Sequence, residues 1–204
     1  MSLVAGGIEF SYPGCRRLFD GLSLEVAPGE RVALTAPSGS GKTTLCRILA
    51  GYLEPARGSV SVDGEPLARW RAPAPRPVQL VWQHPEQAFD PGLRTGRSLA
   101  QAGDVEGDRA ALLVEALGVR REWLARYPHE LSGGELMRIC LVRALMPCPR
   151  YVILDEATAM LDAITQAEVM RAVMRVAEQD GAGMVVVSHS PALLARVATR
   201  ELRL

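Results

Sequence analysis

Apolar and polar residues alternate over Leu3–Phe10 and, in part, over Leu22–Val26. That period predicts strands with one buried face. Glu30–Thr35, with Val32, Ala33 and Leu34 at its centre, reads as a buried strand, and Val78–Trp82, Tyr151–Leu154 (YVIL) and Met184–Ser188 (MVVVS) are short, nearly continuous apolar runs. Such runs predict strands buried on both faces. Gly58–Val62 predicts a further strand, ended by Asp63-Gly64, a tight-turn pair. Helical spacing predicts Leu45–Ala50, closed by Gly51, and Thr165–Gln179, with Val169, Val173 and Val176 on one face. Ser190-Pro191 supplies a helix cap and a proline at the first helical position. From about Glu86 to Met146 the pattern is mostly helical, with polar interruptions and no strong strand, while Trp70–Pro77 (WRAPAPRP) predicts a surface loop. There is no internal repeat or coiled-coil insertion. Strands alternating with helices predict an α/β fold with a mostly parallel sheet and a helical insertion near the middle.

Length and composition narrow this picture. The chain has 204 residues, 48% hydrophobic and 23% charged, which suits one α/β domain over residues 1–204. No apolar stretch approaches the roughly 18–20 residues of a membrane helix. The start, MSLVAGGIEF, lacks the pattern of a signal peptide. Cys15, Cys46, Cys140 and Cys148 show no CxxC spacing and are expected to be reduced packing residues. Basic and acidic residues balance at 23 each, which argues against a nucleic-acid-coating surface. Within the basic set, Lys42 is the sole lysine; every other member is arginine, and asparagine is absent.

Lys42 sits in Ala36–Thr44 (APSGSGKTT), between an expected buried strand and an expected helix. A phosphate-binding loop requires that context. Backbone N–H groups around Gly39, Ser40 and Gly41 would wrap phosphate oxygens, and the helix N-terminus would add positive potential. Lys42 would neutralise the β and γ phosphates, and Thr43 would offer its hydroxyl to Mg²⁺. Ala36 stands where such loops usually begin with glycine, which fits if its φ is negative. A glycine-rich turn can join a strand to a helix without any ligand, but the GKT ending argues for phosphate.

Two carboxylates, Asp155 and Glu156, end the YVIL strand. In a parallel sheet, ligands bind at that end of the strands. Asp155 would hold Mg²⁺ through water, and Glu156 would polarise an attacking water. An acidic strand end is ordinary by itself; its pairing with the phosphate loop is not. His189, after MVVVS, would sense the γ-phosphate or orient Glu156. Gln83, after Val78–Trp82, would touch Mg²⁺ and the attacking water.

Leu131–Glu135 (LSGGE) precedes a helical run. Ser132 and Glu135 form a capping-box pattern, common in itself. With Ser132, Gly133 and Gly134 would leave an open helix N-terminus able to meet phosphate. One small domain has little use for two phosphate motifs on one ligand. A dimer resolves this, each LSGGE closing on the nucleotide held by the other subunit.

Taken in order, these motifs resemble an ATP-binding cassette (ABC) ATPase over nearly the whole chain. The resemblance adds Tyr12 as the aromatic for adenine stacking and Asp162, in Met160–Asp162 (MLD), as the D-loop residue. Ala36, Pro37, Ser38, Gly39, Ser40, Gly41, Lys42, Thr43 and Thr44 would then bind nucleotide. Leu131, Ser132, Gly133, Gly134 and Glu135 would act in trans. Glu156, His189, Gln83 and Lys42 would form the catalytic set, with Thr43, Gln83 and Asp155 around Mg²⁺. The implied fold is a P-loop NTPase with an antiparallel N-terminal β part and a helical subdomain inserted at about 86–147. The implied activity is ATP hydrolysis by two cassettes, alike or different, closing on two ATP molecules to drive a membrane permease. The protein would be cytoplasmic, peripheral on the inner face of the cell membrane, with the stretch after Gln83 lining the permease contact.

Arg126–Glu135 (RYPHELSGGE) and Pro77–Pro91 resemble the oligopeptide and nickel importers, while QHPEQAF is also similar to vitamin and cobalt importers of the energy-coupling type. Glu135 replaces the usual glutamine, and Ser190 the usual aspartate after the histidine. A non-transport cassette acting in translation or DNA repair is the rival class, but usually has paired cassettes or coiled-coil insertions. A small P-loop kinase would need a phosphate-acceptor site and would have no use for LSGGE.

Overall fold

The structure, a computed structural model, describes residues 2–70 and 74–204. Residues 71–73 of the expected proline-rich loop lie outside the described residues; Ala74 and Pro75 beside them are exposed.

Two sheets carry the fold. β1 (Leu3–Phe10) and β2 (Phe19–Val26) pair antiparallel, and β4 (Arg57–Val62) pairs with the other edge of β1. The two-residue strand β5 (Glu65–Pro66) closes a hairpin on β4 through Asp63 and Gly64, both at positive φ. The alternating pattern of β1 matches its burial: Leu3, Ala5, Ile8 and Phe10 face the core.

The second sheet is entirely parallel, in the order β6 (Val78–Val81), β7 (Tyr151–Asp155), β8 (Gly183–Val187), β3 (Arg31–Thr35), β9 (Arg200–Arg203). Every residue of β7 and β8 is buried, as continuous apolar runs require. One face packs on α1 (Lys42–Leu49) and the antiparallel sheet, through Leu45, Ile48, Leu80 and Ile153. The other packs on α5 (Ala163–Asp180) and α6 (Pro191–Val197), with Val152, Leu154, Val173 and Val186 in its core. Fully burying each such side chain stabilises by about 1.5–3 kcal/mol.

Between β6 and β7 lie α2 (Thr95–Ala100), α3 (Asp108–Ala116) and α4 (Gly133–Leu145), with short 3-10 turns and, among the described residues, no strand. The insertion shares the core of the second face, Leu113, Leu117 and Trp123 joining Met137 and Leu141. Among the described residues no helix is long and apolar enough to cross a membrane.

Some expectations need correction. The first helix begins at Lys42, three residues before the apolar run, because Gly41 takes the cap position and the helix opens inside the glycine loop. β2 begins at Phe19, and β6 ends at Val81. β9 went unanticipated: RELR is a polar edge strand, paired with β3 alone among the described residues. Cys46 and Cys140 are buried as expected, and burial pushes the Cys140 thiol up to about 12. Cys15 and Cys148, however, are exposed and pack no core.

Candidate functional site

The parallel sheet delivers its candidate residues to one edge. Going across it, Gln83 follows β6, Asp155 ends β7 with Glu156 next to it, His189 follows β8, and Ala36 follows β3. Adjacent parallel strands all point their C-terminal ends the same way, so residues scattered in sequence meet in space.

At β3 the loop turns into α1, whose first turn carries no acidic side chain. Gly39 and Gly41 have φ of 79° and 96°, while Ala36 is not at positive φ, so alanine fits there without backbone strain. Lys42 is only 9% exposed and donates from Nζ to the carbonyls of Ala36 (2.8 Å) and Pro37 (3.1 Å). The loop thus holds its cation among its own carbonyls. Gly41 is fixed for two reasons. Its φ is unfavourable to any Cβ, and a Cβ there would stand 2.7 Å from Leu18 Cδ2. Left-handed backbone costs a non-glycine residue about 1–2 kcal/mol. Gly41→Ala is therefore expected to raise the Kd for ATP about tenfold or more, read by titration with a fluorescent ATP analogue; wild-type affinity would contradict this account of the loop.

Asp155 is buried, and its Oδ1 has no hydrogen-bond partner. Burial pushes its carboxyl above the usual range, while a hydrogen bond from Thr43 pulls the other way. An orphaned buried carboxylate oxygen beside a threonine hydroxyl is a hard-oxygen donor set that fits Mg²⁺. Glu156 takes the left-handed region, φ 53°, with its amide donating to Val187 O at 3.1 Å. Such strain in a non-glycine residue tends to sit where function demands it. Both carboxylate oxygens of Glu156 are engaged: Oε1 lies 2.8 Å from His189 Nε2, and Oε2 accepts from Gln83 Nε2 at 3.0 Å. Glu156 is sheltered at 13% side-chain exposure, whereas His189 is open at 63%.

Gln83, Glu156 and His189 line a cavity of about 530 Å³ with Tyr12 and with Ser38, Gly39, Gly41, Lys42, Thr43 and Thr44 of the loop; Ala36, Pro37, Ser40 and Asp155 are not on its lining. Tyr12 meets Thr44 Oγ1 through its hydroxyl at 3.1 Å and stands edge-on to Phe10, with 40% of its surface exposed. Cys15, Arg16 and Leu18 also line the cavity and were not anticipated from the sequence. Their signal was Pro13-Gly14: the turn, with Gly14 at φ 73° and Cys15 N bonded to Tyr12 O, folds the chain back over the loop.

LSGGE stands apart from this cavity. Ser132 caps α4, its Oγ accepting from Glu135 N at 3.3 Å, while the Glu135 carboxylate accepts from Ser132 N (2.8 Å) and Oγ (2.9 Å). Those bonds, the backbone one foremost, hold the Glu135 carboxyl below its usual range. The capping box is formed, and it leaves Ser132 and Gly133 on the surface. A Cβ on Gly134 would stand 3.0 Å from Leu161, and one on Gly133 3.3 Å from Met160 Sδ. The motif therefore abuts the MLD stretch, whose Asp162 is exposed and caps α5 by accepting from Ile164 N and Thr165 N.

Comparison with known proteins bears on the family and the fold. A family model described as ABC transporter matches residues 19–159. A nickel import ATP-binding protein of Pseudomonas putida is 35% identical over 193 residues, 89% of this chain and 71% of that protein. A putative peptide import ATP-binding protein of Brucella abortus is 34% identical over 198 residues, 90% of this chain and 59% of that protein. A glutathione import ATP-binding protein of Salmonella typhimurium is 32% identical over 193 residues; the chain spans 31% of its length. Among solved structures, the dimeric post-hydrolysis state of the ATP-binding cassette MJ0796 bound to ADP and Pi has a TM-score of 0.86 at 24% identity, covering 99% of this chain and 94% of that one. An ATP-binding subunit of an ABC transporter has a TM-score of 0.86 at 22% identity, covering 100% of this chain and 86% of that one. These two likenesses concern the fold.

Proposed function

This chain belongs to the ABC transporter family, and we propose that it is the ATP-binding, ATP-hydrolysing subunit of an importer for peptides, nickel or a related small solute. The observation that carries the reading is Glu156, gripped by Gln83 and His189 at the mouth of the phosphate-loop cavity. In this reading residues 1–204 form one cassette with the helical insertion at about 86–147.

ATP enters with its adenine against Tyr12 and its phosphates in the loop Ala36–Thr44. The loop amides and the N-terminus of α1 hold the phosphate oxygens, and Lys42 leaves its carbonyl partners to neutralise them. Glu156, fixed on both oxygens, orients and polarises the attacking water. Gln83 and His189 keep that carboxylate in place, and His189, being exposed, is positioned to meet the γ-phosphate. Thr43, Gln83 and, through water, Asp155 would hold Mg²⁺, which when bound supplies charge neutralisation of the phosphates.

LSGGE, with Ser132 and Gly133 on the surface, and exposed Asp162 complete a second cassette's site, in a homodimer or a heterodimer. Ser132→Arg is expected to leave nucleotide affinity of the monomer within about twofold and to stop turnover, since the side chain is remote from its own cavity. A large loss of monomer affinity, measured by nucleotide titration, would place LSGGE in cis instead.

The relatives named as nickel and peptide importers support that substrate class over the energy-coupling alternative and over a non-transport cassette. In this reading the subunit is cytoplasmic, peripheral on the inner face of the membrane, and binds a permease through the stretch after Gln83. Nucleic acid is not a partner, in line with the balanced charge. Purification from the source membrane, with identification of the co-purifying membrane subunits and an assay of Mg²⁺-dependent phosphate release, tests the proposal. A permease of the importer class is the expected companion; none, together with no ATPase activity, would overturn it.

A further inference from the structure

Arg143 lies in the last turn of α4, half-buried, and none of the carboxylates among the described residues pairs with it. Its guanidinium instead donates to three oxygens from two different stretches of chain: Ala88 O through Nη1, Ser98 O through Nε at 3.3 Å, and Gln101 Oε1 through Nη2 at 3.5 Å. The same group lies 5.9 Å above the ring of buried Phe89. A planar fork can serve such spread acceptors and a ring face together; one ammonium cannot.

What Arg143 grips is the far end of a short, stiff segment. Pro85 is buried, Gln87 N donates to His84 O at 3.1 Å, and Phe89 N to Glu86 O at 3.3 Å. At the near end of that segment Gln83 donates to Glu156. Arg143 itself rides on the helix whose N-terminus is formed by Ser132, Gly133 and Gly134. A continuous physical path therefore runs from Glu156 through Gln83, the turn Pro85–Ala88 and Arg143 to α4 and Ser132.

We propose that Arg143 is a positioning residue that ties the water-holding pair Gln83–Glu156 of one cassette to the LSGGE helix it offers to the other. The inference rests on the ATPase reading above. It makes the two ends of α4 report on each other: a change in how Gln83 is seated is passed to the surface that meets the second nucleotide, and the reverse. Arg143 does not touch the nucleotide cavity.

The test uses the full chain with Arg143→Gln and with Arg143→Lys, which keeps the charge and aliphatic stem but loses the fork. Turnover per folded protein is measured first, with the wild type confirming that the chain is an ATPase. Nucleotide affinity of the monomer is measured alongside. ATP-driven dimerisation is then followed with each change placed in a Glu156→Gln background. The expected result is a fall in kcat of about tenfold or more in Arg143→Gln, and a smaller fall in Arg143→Lys. Monomer affinity should stay within about twofold, and the ATP concentration needed for dimerisation should rise. Should Arg143→Gln fail to fold, the lysine variant decides. A lower melting temperature with unchanged kcat and dimerisation would reduce Arg143 to a packing residue. Loss of monomer affinity in parallel with kcat would place its action on the phosphate loop and equally overturn the proposal. A wild type that binds ATP without hydrolysing it overturns the functional reading, and the assignment of Arg143 with it.

Discussion

Lys42→Ala is expected to bring ATP hydrolysis down to background. The ammonium is already buried in the loop, 2.8 and 3.1 Å from two backbone carbonyls, so the site is built around a charge it keeps at hand. Removing it leaves those carbonyls facing a polyanion. At about 4 Å and an effective dielectric near 20, one charge pair is worth about 4 kcal/mol, or about three orders of magnitude in rate. Asp155, hydrogen-bonded to Thr43 of the loop, would then add repulsion opposed locally by Arg47. Lys42→Arg is expected to fare little better, since a planar fork does not fit a pocket shaped by two converging carbonyls. Phosphate release measured at saturating Mg²⁺-ATP decides the matter, and turnover near the wild-type rate would sink the assignment of the loop.

The second large effect is at Glu156. Glutamine there keeps the shape and can still bond Gln83 and His189, but it no longer carries the charge that, in the proposed function, polarises water. ATP binding is expected to persist while hydrolysis falls by at least about a hundredfold. Because hydrolysis would end the closed state, its loss should trap two cassettes around ATP, seen as a dimer by size-exclusion chromatography with light scattering. Only monomer in the presence of ATP would sink the sandwich of two copies of this chain.

Much of this was legible in the sequence because the motifs are local. APSGSGKTT, YVILDE and LSGGE each pack their chemistry into a few residues, and buried strands announce themselves by unbroken apolar runs. The convergence of Gln83, Glu156 and His189 followed from the parallel arrangement of the strands rather than from any one segment. What escaped was non-local or nondescript. Gln83 and Glu156 read from the sequence as parts of one catalytic set, but their direct bond across 73 residues is a product of β6 lying beside β7. Leu18 reads as one apolar residue among many, yet it lies on Gly41 and adds a clash to the unfavourable φ there. Arg143 resembles every other arginine in an arginine-rich chain until its fork is seen to join Ala88 to Ser98 and Gln101. β9 escaped because an edge strand with exposed charges has neither periodicity nor an apolar run.

The seclusion of Lys42 has a practical consequence in protein chemistry. It is the one side-chain amine in the sequence, and it is nine-tenths shielded and held by two carbonyls. Acylating reagents that decorate most proteins at many lysines find here a single, reluctant side-chain target. A label that does attach at that position marks a molecule whose Lys42 has left its two carbonyls, so covalent amine labelling becomes a direct reporter of that side chain's release.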